Sequence, residues 1–243
     1  MIVCSTCKNE IETVQCKQCT QTAALKRIDS HYISHELFHL WHIEKGFLFN
    51  VREFILRPAN SIREFLNVDR SRHMKPVAFL IFIALINSII ANYYRPVVAV
   101  TENDSYFKGS FVKILSHWTE THAGYTYIMH SFFIAFWTKI LFKKYGYNFY
   151  EIMTLLCFII GQTLFITALL LPFHQYLNQT ANNIILLTTL SIYPIIVIAT
   201  FFDKNKILSY IKAFFSFFLG KITFIFLMYG IGLAIDLILK LLK

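Results

Sequence analysis

Charge is what this sequence has least of. Of its 243 residues, 15% are Asp, Glu, Lys or Arg, against 56% hydrophobic. Soluble domains carry about a quarter charged residues. The shortfall, together with 25 Phe and 13 Tyr, excludes an ordinary water-soluble globule. Acidic residues are scarcer still: 14 Asp and Glu against 23 Lys and Arg, a formal net charge of +9. Catalytic vocabulary is missing too. There is no His-Glu-x-x-His, no nucleotide-binding loop, no paired carboxylate and no repeated charge inside an apolar run. An intramembrane metalloprotease, a proton relay and an ATP-driven pump acting alone therefore have no support. The start MIVCSTC lacks the basic residues, long apolar core and cleavage site of a signal peptide, so none is expected.

The basic excess points to a surface. Eleven of the Lys and Arg precede Pro76, and others sit in short connections between apolar runs. That distribution favours the anionic headgroups of a lipid bilayer as partner. Nucleic acid is not expected, because Lys8, Lys17, Lys26 and Arg27 are too few and too scattered for a footprint.

Four of the five cysteines form two pairs: Cys4-Ser-Thr-Cys7 and Cys16-Lys-Gln-Cys19. Each Cys-x-x-Cys can make a tight knuckle presenting two thiolates, and two knuckles close a tetrahedral Cys4 site on one structural Zn2+ per chain. The stretch Asn9 to Gln15 suits a turn and a short strand, as in a small zinc ribbon over residues 1–27. So small a module has little core, and zinc would supply most of its folding free energy. A redox dithiol or a pair of disulfides is the competing reading. The βαβ pattern that accompanies a redox Cys-x-x-Cys is missing.

Residues 28–75 read as interfacial helices. In DSHYISHELFHLWHIEKG, Asp29 or Ser30 can cap a helix and Gly46 can end it. His31, His35, His39 and His42 fall within about 80° of one helix face. They could hold a second metal or sense pH. Ligands from a single helix close a tetrahedral shell poorly, so a polar interfacial face is the plainer reading. Beyond Gly46, apolar residues alternate with Arg52, Arg57, Arg63, Arg70, Arg72 and Lys75. Such an amphipathic hinge belongs at the membrane surface, with Arg57, Arg63, Arg70, Arg72 and Lys75 set to take lipid phosphates. Arg57-Pro58 should break the first hinge helix. Ser61-Ile-Arg-Glu64 reads as a capping box for the next, and Lys75-Pro76 opens the first apolar run.

In this ordered combination the chain resembles an uncharacterised bacterial family of membrane proteins, catalogued as domain of unknown function 3667. The resemblance rests on the ribbon with its Cys19-Thr20-Gln21 exit, the histidine-rich helix, KGFLFNVREFILRPANSIREFLNVDRSRHMKPVAFL, and the later YGYNFYEIM. Thr20 and Ala59 depart from the usual glycines. The resemblance implies architecture in a bacterial cytoplasmic membrane and no activity.

Five apolar runs follow in residues 76–243: Pro76–Tyr94, Tyr125–Phe142, Phe149–Phe173, Ala181–Phe202 and Ile222–Leu239. Each approaches the roughly 20 residues that cross a bilayer as a helix. The last could extend back to Ile207 as one long helix. The fold expected is an all-α integral membrane protein of about five transmembrane helices, with an N-terminal zinc ribbon and an amphipathic hinge. Positive-inside bias places the N-terminus in the cytoplasm and, with five spans, the C-terminus outside. Asn87, His130 and Gln162 are the candidate intramembrane polar site. Pro194 should kink the fourth run, and Gly230-Ile-Gly232 should let helices approach closely.

Three functions fit. The best supported is a non-enzymatic scaffold or sensor whose ribbon meets a cytoplasmic protein partner. The alternatives are a homo-oligomeric channel or small transporter, and an enzyme acting on lipid headgroups with a histidine base such as His42 or His73.

Overall fold

The computed structural model describes residues 2–3, 10–11, 28–29, 46–94 and 110–241. Cys4, Cys7, Cys16 and Cys19, and His31, His35, His39 and His42, lie outside the described residues. At the start of the chain β1 (Ile2–Val3) pairs antiparallel with β2 (Glu10–Ile11), Ile2 opposite Ile11 and Val3 opposite Glu10. All other described elements are helical.

Proline and glycine set the hinge. α1 (Phe47–Leu56) follows Gly46, whose φ of 123° is open to glycine alone. It stops at Arg57 because Pro58 cannot donate to the preceding turn. α2 (Pro58–Asn67) therefore starts with Pro58 at its first position. The expected capping box does not form. The helix begins four residues earlier than that box requires, and the Ser61 hydroxyl donates instead to Glu53 Oε2 at 3.0 Å. α3 (Pro76–Tyr94) opens as expected on its proline.

The region between the first two apolar runs holds a helix the sequence reading passed over. α4 (Phe111–Thr121) is capped by Ser110, whose Oγ accepts from the Val112 N–H at 3.1 Å. After a break at His122 the chain continues as α5 (Ala123–Leu141). A one-turn 3-10 helix, Lys143–Tyr145, leads to α6 (Phe149–Leu170), which runs on as 3-10 helix to Tyr176. α7 (Gln179–Leu187) passes through a π-turn, Thr188–Ile192, into α8 (Tyr193–Asp203). The π-turn ends two residues before Pro194, where the missing N–H would otherwise orphan a carbonyl. α9 (Ile207–Leu241) is one unbroken helix of 35 residues.

Four helical stretches are long and apolar enough to cross a membrane: Pro76–Tyr94, Phe149–Tyr176, Gln179–Asp203 and Ile207–Leu241. α5 is not among them, which corrects the expected five on composition. Thr126, His130, Ser131, Thr138 and Lys139 dilute it. It is nevertheless part of the bundle. Going down α4 and α5, Ser110 meets Asp236, Val112 meets Gly232, His130 meets Phe224, Ile134 meets Gly220 and Phe142 meets Lys212. α5 thus lies antiparallel along α9 from Phe224 to Lys212, about 18 Å of helix, and the start of α4 touches α9 nearer its end, at Gly232 and Asp236.

α6 is the core. Its most apolar window is 78% buried, against 11% for that of α9. Phe158, Leu155, Leu156 and Leu164 on α6 are fully buried among α1, α2, α3 and α8. Outward faces stay apolar: Leu85, Ile89, Ile196, Phe226, Leu233 and Leu237 are all about half exposed or more. A helical bundle with such flanks needs an apolar surround.

Candidate functional site: the hinge and its anchors

The hinge is packed into the bundle. Phe47 and Phe54, seven residues apart on one face of α1, reach α3 and α6 together. Phe47 meets Phe82 at 5.2 Å between ring centroids, and Phe54 meets Phe158 at 4.7 Å and Phe79 at 5.7 Å. Phe65 of α2 closes on the same Phe158 at 5.1 Å. The Tyr193 hydroxyl of α8 donates to the Phe54 carbonyl at 3.1 Å.

At the centre lies a polar pair that sequence reasoning did not single out. Asn50, fully buried, donates through Nδ2 to the Met74 carbonyl at 3.3 Å, which turns its Oδ1 toward His73 Nδ1 at 2.8 Å. An amide oxygen only accepts, so Nδ1 of His73 carries the proton. The ring is walled by Phe49, Phe54, Phe65 and Phe158. Burial pushes the His73 pKa below its ordinary 6.5, against the opposing pull of Glu64, Glu53 and Asp69. His73 is thus a packed strut, removed from the exposed surface where a lipid-acting base would stand.

A second polar group joins α1 to α2. Arg57 bridges Glu53 and Glu64, and Ser61 also donates to Glu53. Burial raises the Glu53 pKa, but the hydrogen bonds from Arg57 and Ser61 outweigh it and hold the carboxyl below its usual range.

These two shifts act with one sign. A histidine with a lowered folded pKa favours the neutral form, so its contribution is complete above pH 6.5 and falls below it. A carboxylate with a lowered pKa loses its contribution as pH falls through the folded value. Acidification below pH 6.5 is therefore expected to lower the thermal midpoint of the purified protein. The slope per proton taken up is at most about 1.4 kcal/mol per pH unit. His73→Gln, keeping a donor to Asn50, should flatten the first part of that decline; an unchanged profile would contradict the assignment.

The arginines expected at lipid phosphates have protein acceptors. Arg63 donates through Nε to the Phe201 carbonyl at 2.9 Å and through Nη2 to the Thr200 carbonyl, in the last turn of α8. There a cation meets orphan acceptors and the negative end of the helix dipole. Arg70 does the same for α2, bonding the carbonyls of Phe65 and Leu66 at 3.3 Å each. Arg72 pairs with Asp69 at 3.7 Å while largely exposed, and Lys75 is partly buried beside α3.

No hydrogen bond joins the three intramembrane polar residues. Asn87 ties α3 to α6 by donating to the Leu164 carbonyl at 3.0 Å. Gln162 is fully buried on α6, and neither of its amide atoms has a partner. His130 faces α9, against Phe224. Of the glycine pair, Gly232 meets Val112 closely, whereas Gly230 has open space around it. Among the described residues no three His, Cys, Asp or Glu side chains gather as metal ligands.

One more anchor comes from outside the bundle. Ile28 is fully buried, and its carbonyl accepts from Asn148 Nδ2 at 2.8 Å. Asn148 caps α6 in a reciprocal box with Glu151. The pattern Asn-Phe-Tyr-Glu before an apolar run was visible in the sequence; its link to Ile28, 120 residues away, was not.

These features describe a multi-pass helical protein of membrane type, with a short two-helix hinge locked into its core. Residues 44–87 match the family model described as "Protein of unknown function (DUF3667)", the family the sequence resembles. The matched segment is the hinge itself plus α3 as far as Asn87, the residue whose amide holds α6. No curated protein and no solved structure matches the chain.

Proposed function

We propose that this protein is a non-enzymatic scaffold or sensor of the bacterial cytoplasmic membrane, whose zinc ribbon meets a cytoplasmic protein partner and whose hinge relays that engagement to the helices. The observation that carries the reading is the anchor at Ile28. The chain leaving the head is buried and bonded to the capping residue of α6, the most enclosed helix of the bundle. A change in the head thus has a direct mechanical route to the core.

Zinc on Cys4, Cys7, Cys16 and Cys19 is supported by the two Cys-x-x-Cys pairs, the first of which falls in sequence between the paired strands β1 and β2. Orientation is argued from the ends of the bundle. The hinge and the basic connections carrying Lys143, Lys144, Lys204 and Lys206 come together at one end, through Arg63 on α8 and Phe142 stacked on Phe202 at 3.9 Å. Exposed Tyr93, Trp118, Tyr125 and Tyr176 mark the other end, as interfacial aromatics do. The basic end is cytoplasmic in this reading, α5 serves as a fifth crossing, and the C-terminus lies outside.

Native mass spectrometry of the protein extracted gently from its own membrane tests the proposal. The expected result is one zinc per chain and a stoichiometric cytoplasmic partner lost in Cys4→Ser. A homo-oligomer with zinc but no protein partner would sink the adaptor reading and favour the channel.

A further inference from the structure

The interface of α5 and α9 holds two nitrogen-bearing side chains whose chemistry the bundle does not satisfy. Both ring nitrogens of His130 are buried and have no hydrogen-bond partner. The ring lies 4.3 Å from that of Phe224 on α9, between centroids. One turn back along the same face stands Lys221, with its ammonium 4.5 Å above the centroid of Phe217. The Lys221 charge acts on the His130 ring. The helices are in close contact here, since a Cβ on Gly220 would fall 2.7 Å from the Ile134 backbone. Among the described residues Lys221 has no carboxylate within ion-pair distance. Asp236, the acidic residue of α9, is bound to the Ser110 hydroxyl and the Phe111 N–H, and Lys212 lies over the Phe142 ring.

An ammonium set over the Phe217 ring, beside an unbonded imidazole, lacks a counter-charge and a hydrogen-bond acceptor among the described residues. Both are properties of a phosphate. Position identifies the source. Lys221 is the last charge before an uncharged tract from Ile222 to Ile235, and its neighbours Ile222 and Ile225 are about half exposed on the outer face. A lysine at the mouth of an apolar tract stands where headgroup phosphates lie. We propose that Lys221 and His130 form a binding site for the phosphate of an anionic phospholipid, entered sideways from the bilayer between α5 and α9. The proposal rests on the membrane reading of the bundle and is independent of the zinc head.

The test is native mass spectrometry and thermal melting of the full chain in detergent, titrated with phosphatidylglycerol, phosphatidylcholine or inorganic phosphate. The wild type is expected to retain phosphatidylglycerol and to melt higher with it than with phosphatidylcholine. Lys221→Met should weaken that binding at least about tenfold and His130→Phe a few-fold. Lys221→Arg should restore it, and Lys212→Met should leave it unchanged. Stabilisation by inorganic phosphate alone, abolished in Lys221→Met, would confirm the phosphate site but overturn the lipid as its source. Equal retention of both lipids, or unaltered phosphatidylglycerol binding in a folded Lys221→Met protein, would overturn the site. Loss of membrane association by the wild type would instead refute the membrane reading.

Discussion

Gly46→Ala is expected to cost the hinge about 3 kcal/mol or more, enough to remove most of the folded protein from a detergent extract. Two independent causes combine. The backbone at Gly46 has φ 123°, a region closed to residues with a Cβ. The added Cβ would also lie 2.6 Å from the Arg72 carbonyl oxygen and 3.0 Å from the Met74 nitrogen. Both obstacles are backbone, in the connection that His73 and Asn50 hold in place, so neither can swing aside as a side chain would. Gly146 supplies the control. It also has positive φ, at 72°, but nothing lies within 4 Å of its virtual Cβ. Gly146→Ala should cost about 1–2 kcal/mol, the conformational part alone. The difference between the two melting shifts measures the clash; equal shifts would show that Gly46 matters only through its dihedral angle.

Asn50→Ala is expected to destabilise by about 2–4 kcal/mol. Truncation strands the Met74 carbonyl and the His73 N–H in a pocket closed by aromatic rings, and each orphaned group costs about 1–3 kcal/mol. The damage should spread beyond one residue, because this pair is the polar fastening between α1 and the entry to α3. Asn67→Ala, which removes an exposed bond to the Arg63 carbonyl, should change stability by less than about 0.5 kcal/mol. If the two variants melt alike, the buried pair is not the fastening described.

The sequence spoke clearly where backbone chemistry decides the outcome. Gly46, Pro58 and Pro76 mark the hinge boundaries because their allowed dihedrals and missing donors act in any surroundings. It spoke less clearly about partners. α6 and α9 have nearly the same mean hydropathy, 2.2 and 2.3, yet one is buried in protein and the other is mostly exposed. Hydropathy reports that a helix leaves water and is silent on whether protein or lipid receives it. Arg63 illustrates the same limit. Its carbonyl acceptors lie 137 and 138 residues away, so no local pattern in the sequence points to them. α4 was missed although Ser110 and the spacing of Phe111, Ile114, Leu115 and Trp118 announce a capped amphipathic helix. The expectation of a loop between two spans masked that signal.

The central claim is that the state of the head reaches the bundle through Ile28 and Asn148. Hydrogen–deuterium exchange on the full chain tests it most directly, comparing the wild type with Cys4→Ser. The account predicts faster exchange in Cys4→Ser at the capped start of α6, residues 149–153, and along α1, with α9 unchanged. Identical exchange at both places, in a protein that has lost its zinc, would contradict the account and leave the head an independent appendage.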